Sequence, residues 1–160
     1  MPYRRIVGAI MALAAVAACK SGSSGQGNAG ANAEPGAPTP RAAVERFLAA
    51  VRAQDLQAMS MVWGTKSGPA RDNIQREQLE KREVIMTQCL ANDSASFADD
   101  SQGLGGDHTV HFLLYRGPVT RSTTFTTQSD GSARWYVKEI DLKGVHSCTA
   151  EAGQQLRGAP

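Results

Sequence analysis

The spacing of apolar residues changes once along the chain, near Asn92, and that change limits the fold more than any other feature. Before it, apolar positions recur at helical intervals; after it they alternate. Within Thr39–Asp55, Val44, Phe47, Leu48 and Val51 fall at i, i+3, i+4 and i+7, one stripe of a helix. Thr39 is placed to cap that helix. Pro40 suits the first helical position, where a missing N–H costs nothing. Asp55 predicts the cap of a short second helix that buries Leu56, Met59, Val62 and Trp63 and stops at Gly64. A loop over Thr65–Arg71 leads to Asp72, which with Gln75 has the pattern of a capping box. The third helix it predicts runs to about Leu90, its late face carrying Ile85, Met86, Cys89 and Leu90. The run Arg76–Glu83 holds opposite charges four residues apart, such as Glu77 and Lys81, and reads as a solvated helix face. A docking site for a charged partner is the other reading of that run.

Beyond Asn92 the expected strands are Ser94–Ala98, His108–Arg116, Val119–Gln128 and Ala133–Leu142. They are joined by a loop over Asp99–Asp107, a turn at Gly117-Pro118 and a turn at Asp130-Gly131, the last a strong hairpin signal. Val110, Phe112 and Leu114 alternate onto one face. Trp135 and Val137 share a face while Ile140 and Leu142 fall out of phase, which predicts a bulge near Lys138–Glu139 and a curled sheet. Helices first and an antiparallel meander afterwards make an α+β chain, with N-terminal helices packed on a curved four-stranded antiparallel sheet.

The start of the chain reads as an address. Met-Pro-Tyr-Arg-Arg precedes an apolar run from Ile6 to Ala18 with small residues at its end, the pattern of a secretory signal peptide. That run falls short of the roughly 20 apolar residues a membrane span needs. Val16-Ala17-Ala18-Cys19 resembles the lipobox of bacterial lipoproteins. The resemblance implies cleavage after Ala18, lipidation of the Cys19 thiol and acylation of the new amine. The plainer reading is a secreted protein with an unmodified cysteine near its start. Arg4-Arg5 has poor flanks for twin-arginine export, so ordinary export is expected. Two fatty chains anchor a protein stably. Lys20 after the cysteine, where an Asp would favour the inner membrane, leans towards the outer membrane facing the periplasm. The expected organisation is a signal peptide over 1–18, a lipidated cysteine and flexible tether over 19–39, one domain over 40–150, and a frayed tail over 151–160. The tether is Ser, Gly, Asn, Ala and Pro with few charges, and its expected reach is roughly 25 Å.

Charge excludes one class of partner. The whole chain carries 17 basic and 15 acidic residues, and the address accounts for the excess through Arg4 and Arg5. The rest is neutral, without the basic patch of a nucleic-acid binder or a polybasic grip on lipid head groups. The partners expected are therefore the membrane, through the lipid anchor, and an envelope protein or small ligand.

"AVERFLAAVRAQDLQAMSMVWG", the charged third helix and the closing "RWYVKEIDL" resemble the nuclear-transport-factor-two-like (SnoaL-like, cystatin-like) superfamily over about residues 40–145. The resemblance implies a curved sheet wrapped round the long helix as a cone, whose open end can be a ligand pocket. The same fold serves enzymes, binders and assembly modules, so it does not choose among them.

With Cys19 lipidated, Cys89 and Cys148 remain as an even pair in an oxidising compartment. A disulfide between them is expected, with two separate thiols or a metal or catalytic role as the alternatives. His108, His111 and Tyr115 are the candidate pocket residues, with Asp107 or Glu139 as helpers. The histidines lie three apart on a strand and so point to opposite faces, which prevents joint metal binding. The Asp99–Asp107 stretch lacks the ligand order of a calcium loop and the glycine pattern of a phosphate loop. No nucleophile motif, metal set or cofactor motif is legible. The expected function is a non-catalytic, lipid-anchored binding protein of the envelope; a small isomerase- or hydrolase-type enzyme using His108 or His111 is the competing expectation.

Overall fold

Thr39 opens the first helix as its residue type predicts, its side-chain oxygen accepting from the Ala42 N–H at 3.1 Å. Helix α1 follows over Pro40–Ala53, and Val44, Phe47, Leu48 and Val51 are all buried. Gln54 ends it in the left-handed conformation. Asp55 caps α2, Leu56–Val62, by accepting from Ala58 N–H at 2.9 Å. The computed structural model describes residues 34–142 and Cys148. The signal segment, Cys19, residues 20–33 of the expected tether and the tail over 151–160 lie outside the described residues.

The segment expected as a loop after Gly64 instead pairs with itself. β1, Gly64–Thr65, and β2, Gly68–Pro69, form a two-stranded antiparallel ribbon. Its strands approach so closely that a Cβ at Gly64 would run into the Gly68 carbonyl, so only glycine fits. A one-turn helix α3 spans Ala70–Asn73, and α4 spans Arg76–Cys89. The expected capping box does not form: Asp72 lies inside α3, beside Arg71 at 3.6 Å, and Gln75 caps α4 without a side-chain bond. The late face of α4 is as predicted, with Met86, Cys89 and Leu90 buried and Ile85 half-buried. Glu77 and Lys81 pair at 2.8 Å and Arg76 and Glu80 at 2.7 Å, all on the outside of the helix. Glu83 departs from the solvated face expected for this run and is buried.

β3 (Ser94–Gln102), β4 (His108–Arg116), β5 (Val119–Ser129) and β6 (Trp135–Ile140) form one four-stranded antiparallel sheet in the order β3-β4-β5-β6. The fold is therefore α+β, a few helices with an antiparallel meander. β3 runs longer than expected. Asp99, Asp100, Ser101 and Gln102 pair with β4, so the loop shrinks to Gly103–Asp107. An edge strand has one side open to water and tolerates such polar residues. The predicted bulge is present: Thr126 faces Glu139 and Thr127 faces Val137, so Lys138 has no opposite residue. That extra residue restores the phase and sets Ile140 opposite Phe125. A second bulge leaves Ala98 between Phe97, opposite Phe112, and Asp99, opposite His111.

α1 crosses the inner face of the sheet. Phe47 meets Phe125 edge-on at 6.4 Å, and Phe125 meets Phe112 at 6.2 Å. Val110, Leu114 and Val137 complete the buried layer. Residues 35–39, expected as the end of the tether, are docked rather than free. Ala37 is buried and exchanges backbone bonds with Trp135 at 2.9 and 2.8 Å, while Gly36 N–H donates to Met61. Gly36 has φ of 70°, and a Cβ there would lie 3.0 Å from the Tyr136 ring. Trp63 bridges Val137 further along β6, so short pairings cover that edge of the sheet.

Candidate functional site

Chemistry-bearing side chains gather in three places. The first is the end of the inner sheet face, past the aromatic core. Register places Asp100 opposite Val110, and the neighbouring inward position on β4 is His108. His108 Nδ1 and Asp100 Oδ1 lie 2.8 Å apart, and the Trp135 ring stands edge-on to the imidazole at 4.9 Å. Both His108 and Asp100 keep about a quarter of their side chains in water. A carboxylate on Nδ1 fixes the orientation of the ring.

The second place is the opposite face. His111 Nδ1 meets Thr124 Oγ1 at 3.2 Å, and its Nε2 lies 3.7 Å from Asp99. Tyr115 shares this face, where its hydroxyl meets Ser96 Oγ at 3.0 Å. Four residues along a strand separate positions by about 13 Å. The structure thus divides the three candidate pocket residues: His108 inward, His111 and Tyr115 outward and apart from each other. The carboxylates beside the histidines are Asp100 and Asp99, and Asp107, one of the expected helpers, serves elsewhere. Asp107 accepts from Gln128 at 2.9 Å and Lys138 at 3.1 Å. No group of three or more His, Cys, Asp and Glu that could hold a metal occurs among the described residues.

The third place was not legible in the sequence. A pocket of about 170 Å³ opens between the β1–β2 ribbon, α3, α4 and the bulge of β6. Trp63, Ala70 and Ile74 give it apolar walls, and Arg82 and Lys138 are the cations on its lining. Asn73 also lines it but spends its amide on the carbonyls of Ser67 and Pro69. These residues come from several elements, and no single local pattern links them.

Two buried features stand outside these sites. Cys89 and Cys148 are both buried and lie side by side with Cα atoms 5.0 Å apart, within the span of a disulfide. Glu83 lies on the buried stripe of α4 with Leu79 and Met86, and its Oε1 has no hydrogen-bond partner. Burial, and then the nearby charge of Glu80, push its carboxyl up to about 7. The signal for Glu83 was its place four residues after Leu79 and three before Met86, which puts it on their stripe.

No helix among the described residues is long and apolar enough to cross a membrane. The chain matches no protein-family model, no curated protein and no solved structure.

Proposed function

We propose that this chain is a lipid-anchored protein of the cell envelope whose domain binds a small ligand or another envelope component without transforming it. The anchor is Cys19, in the setting Val16-Ala17-Ala18-Cys19, followed by a polar tether. We read the α+β domain as a member of the nuclear-transport-factor-two-like class, its sheet curved round α1. Bulges at Ala98 and Lys138 support that reading, since each adds a bend to its strand.

One observation carries the preference for binding over catalysis. The space between α1 and the sheet, where a cone-shaped fold would enclose a substrate or a ligand, is filled, which removes the enclosed reaction chamber and leaves binding to surfaces outside it. Phe47, Phe112 and Phe125 are at most 2% exposed and pack edge to face. The competing reading, a small enzyme, draws on the contact between His108 and Asp100 at the rim. The test is to produce the full chain in a bacterium that processes lipoproteins and extract it in detergent. The expected product begins at Cys19 with added acyl mass and carries a specific ligand or partner identified by mass spectrometry. A product retaining Met1 with no acyl mass overturns the anchor. A co-purified small molecule that the chain converts to product, with conversion lost in His108→Gln, overturns the binding reading in favour of the enzyme.

A further inference from the structure

Resting on the binding reading above, we infer that the pocket beside Trp63 is a site for small organic anions, in particular aromatic carboxylates. Volume sets the size class. An enclosed apolar cavity of about 150 Å³ accommodates one benzene ring, and this pocket measures about 170 Å³. A single six-membered ring with a short acidic substituent fits within it. The walls set the body of the ligand. Trp63, Ala70 and Ile74 face the space, and a flat apolar ring against an indole is a favourable contact.

Charge then sets the substituent. The lining contains two cations, Arg82 and Lys138, and no carboxylate. They differ in availability. Lys138 is the bulged residue of β6, and Asp107 holds its amine at 3.1 Å. Arg82 is exposed on α4, and its guanidinium makes no hydrogen bond or ion pair with another described residue, although Arg76 and Lys81 on the same helix are both paired with glutamates. An arginine fork left free at the mouth of an apolar pocket matches a planar carboxylate in two parallel bonds. The site is also held firmly. Trp63 is bridged to Val137, the ribbon beneath it closes around Gly64, and Asn73 ties α3 to that ribbon.

The test uses the full chain in detergent, titrated with benzoate, with neutral benzamide and cationic benzylamine as probes of equal size, against a detergent-only blank. Indole N–H signals of Trp63 and Trp135 are followed by NMR, each assigned by replacing one tryptophan with phenylalanine. Benzoate is expected to shift the Trp63 signal saturably and to leave Trp135 unmoved. Benzamide is expected to bind about tenfold more weakly, the scale of one charge-assisted contact. Arg82→Gln is expected to bring benzoate down to the affinity of benzamide, while Arg76→Gln, on the same helix outside the pocket, leaves it unchanged. Equal binding of benzoate and benzamide overturns the anion preference. So does a response at Trp135 alone, an Arg82→Gln chain that binds benzoate like the parent, or no response to any probe. Those failures would leave the broader binding reading standing on what co-purifies, whereas enzymatic conversion of a co-purified molecule would remove that reading whatever benzoate does.

Discussion

Glu83 occupies a position that helical spacing reserves for an apolar side chain, and at 2% exposure it has almost no water. The folded chain holds its proton up to about pH 7, while an ordinary glutamate releases it near 4.5. The sign follows directly. Below about pH 4.5 the group is neutral in both states and costs nothing through ionisation. As pH rises from there through about 7 stability falls, reaching a loss of about 3 kcal/mol at alkaline pH. Glu83→Gln is expected to change stability little at pH 4.5 and to add about 3 kcal/mol at pH 8, measured by urea unfolding at both values. A parent chain equally stable at pH 5 and pH 8 would refute this. Thr123 presents a milder case, its buried hydroxyl having no partner. Thr123→Val keeps the shape, removes the stranded oxygen and is expected to raise stability by about 1 kcal/mol in the same assay. Gly36 is the reverse. With φ at 70° and the Tyr136 ring, Arg134 Cβ and Trp135 carbonyl all within 3.2 Å of a would-be Cβ, Gly36→Ala is expected to cost about 1–3 kcal/mol.

At the scale of elements, α1 and the β4–β5 hairpin are joined through aromatic rings. Phe47→Ala would empty the middle of that layer, and a loss of about 3–5 kcal/mol in chemical denaturation is expected. These elements were legible because local period and final burial agree: Val44, Phe47, Leu48 and Val51 on the helix, Val110, Phe112 and Leu114 on the strand. The Lys138 bulge was legible too, since an apolar alternation that slips by one position needs an extra residue to recover. Legibility failed where a distant partner decides. Asp99 and Asp100 look like loop residues until β4 pairs with them, and so do Gly68 and Pro69 until Gly64 lies alongside. Asp72 could not open α4 because α3 had already taken it. The histidines were visible as residues, but their carboxylates depend on a cross-strand register that the Ala98 bulge resets. The pocket around Trp63 depends on helix, ribbon and sheet edge together, so nothing short of the fold displays it.

For the whole molecule, the meeting of Cys89 and Cys148 matters most to persistence. They stand 59 residues apart in sequence, and a bond between them would restrict the unfolded chain by about 4 kcal/mol. A thiol-reactive mass label on the unreduced chain is expected to reach neither residue, and Cys148→Ser is expected to lower the denaturation midpoint; labelling of both in the folded chain would show them to be free thiols. The same accounting of connections applies at the other end. Residues 34–37 enter the fold along β6, held by the backbone pair of Ala37 with Trp135, by Arg46 on the Gly36 carbonyl at 2.7 Å and by Arg134 on the Pro35 carbonyl at 3.2 Å. A pull arriving from that direction loads these few bonds before any strain reaches α1. Under tension the entry segment would therefore give way first, acting as a mechanical fuse that leaves the aromatic interior intact.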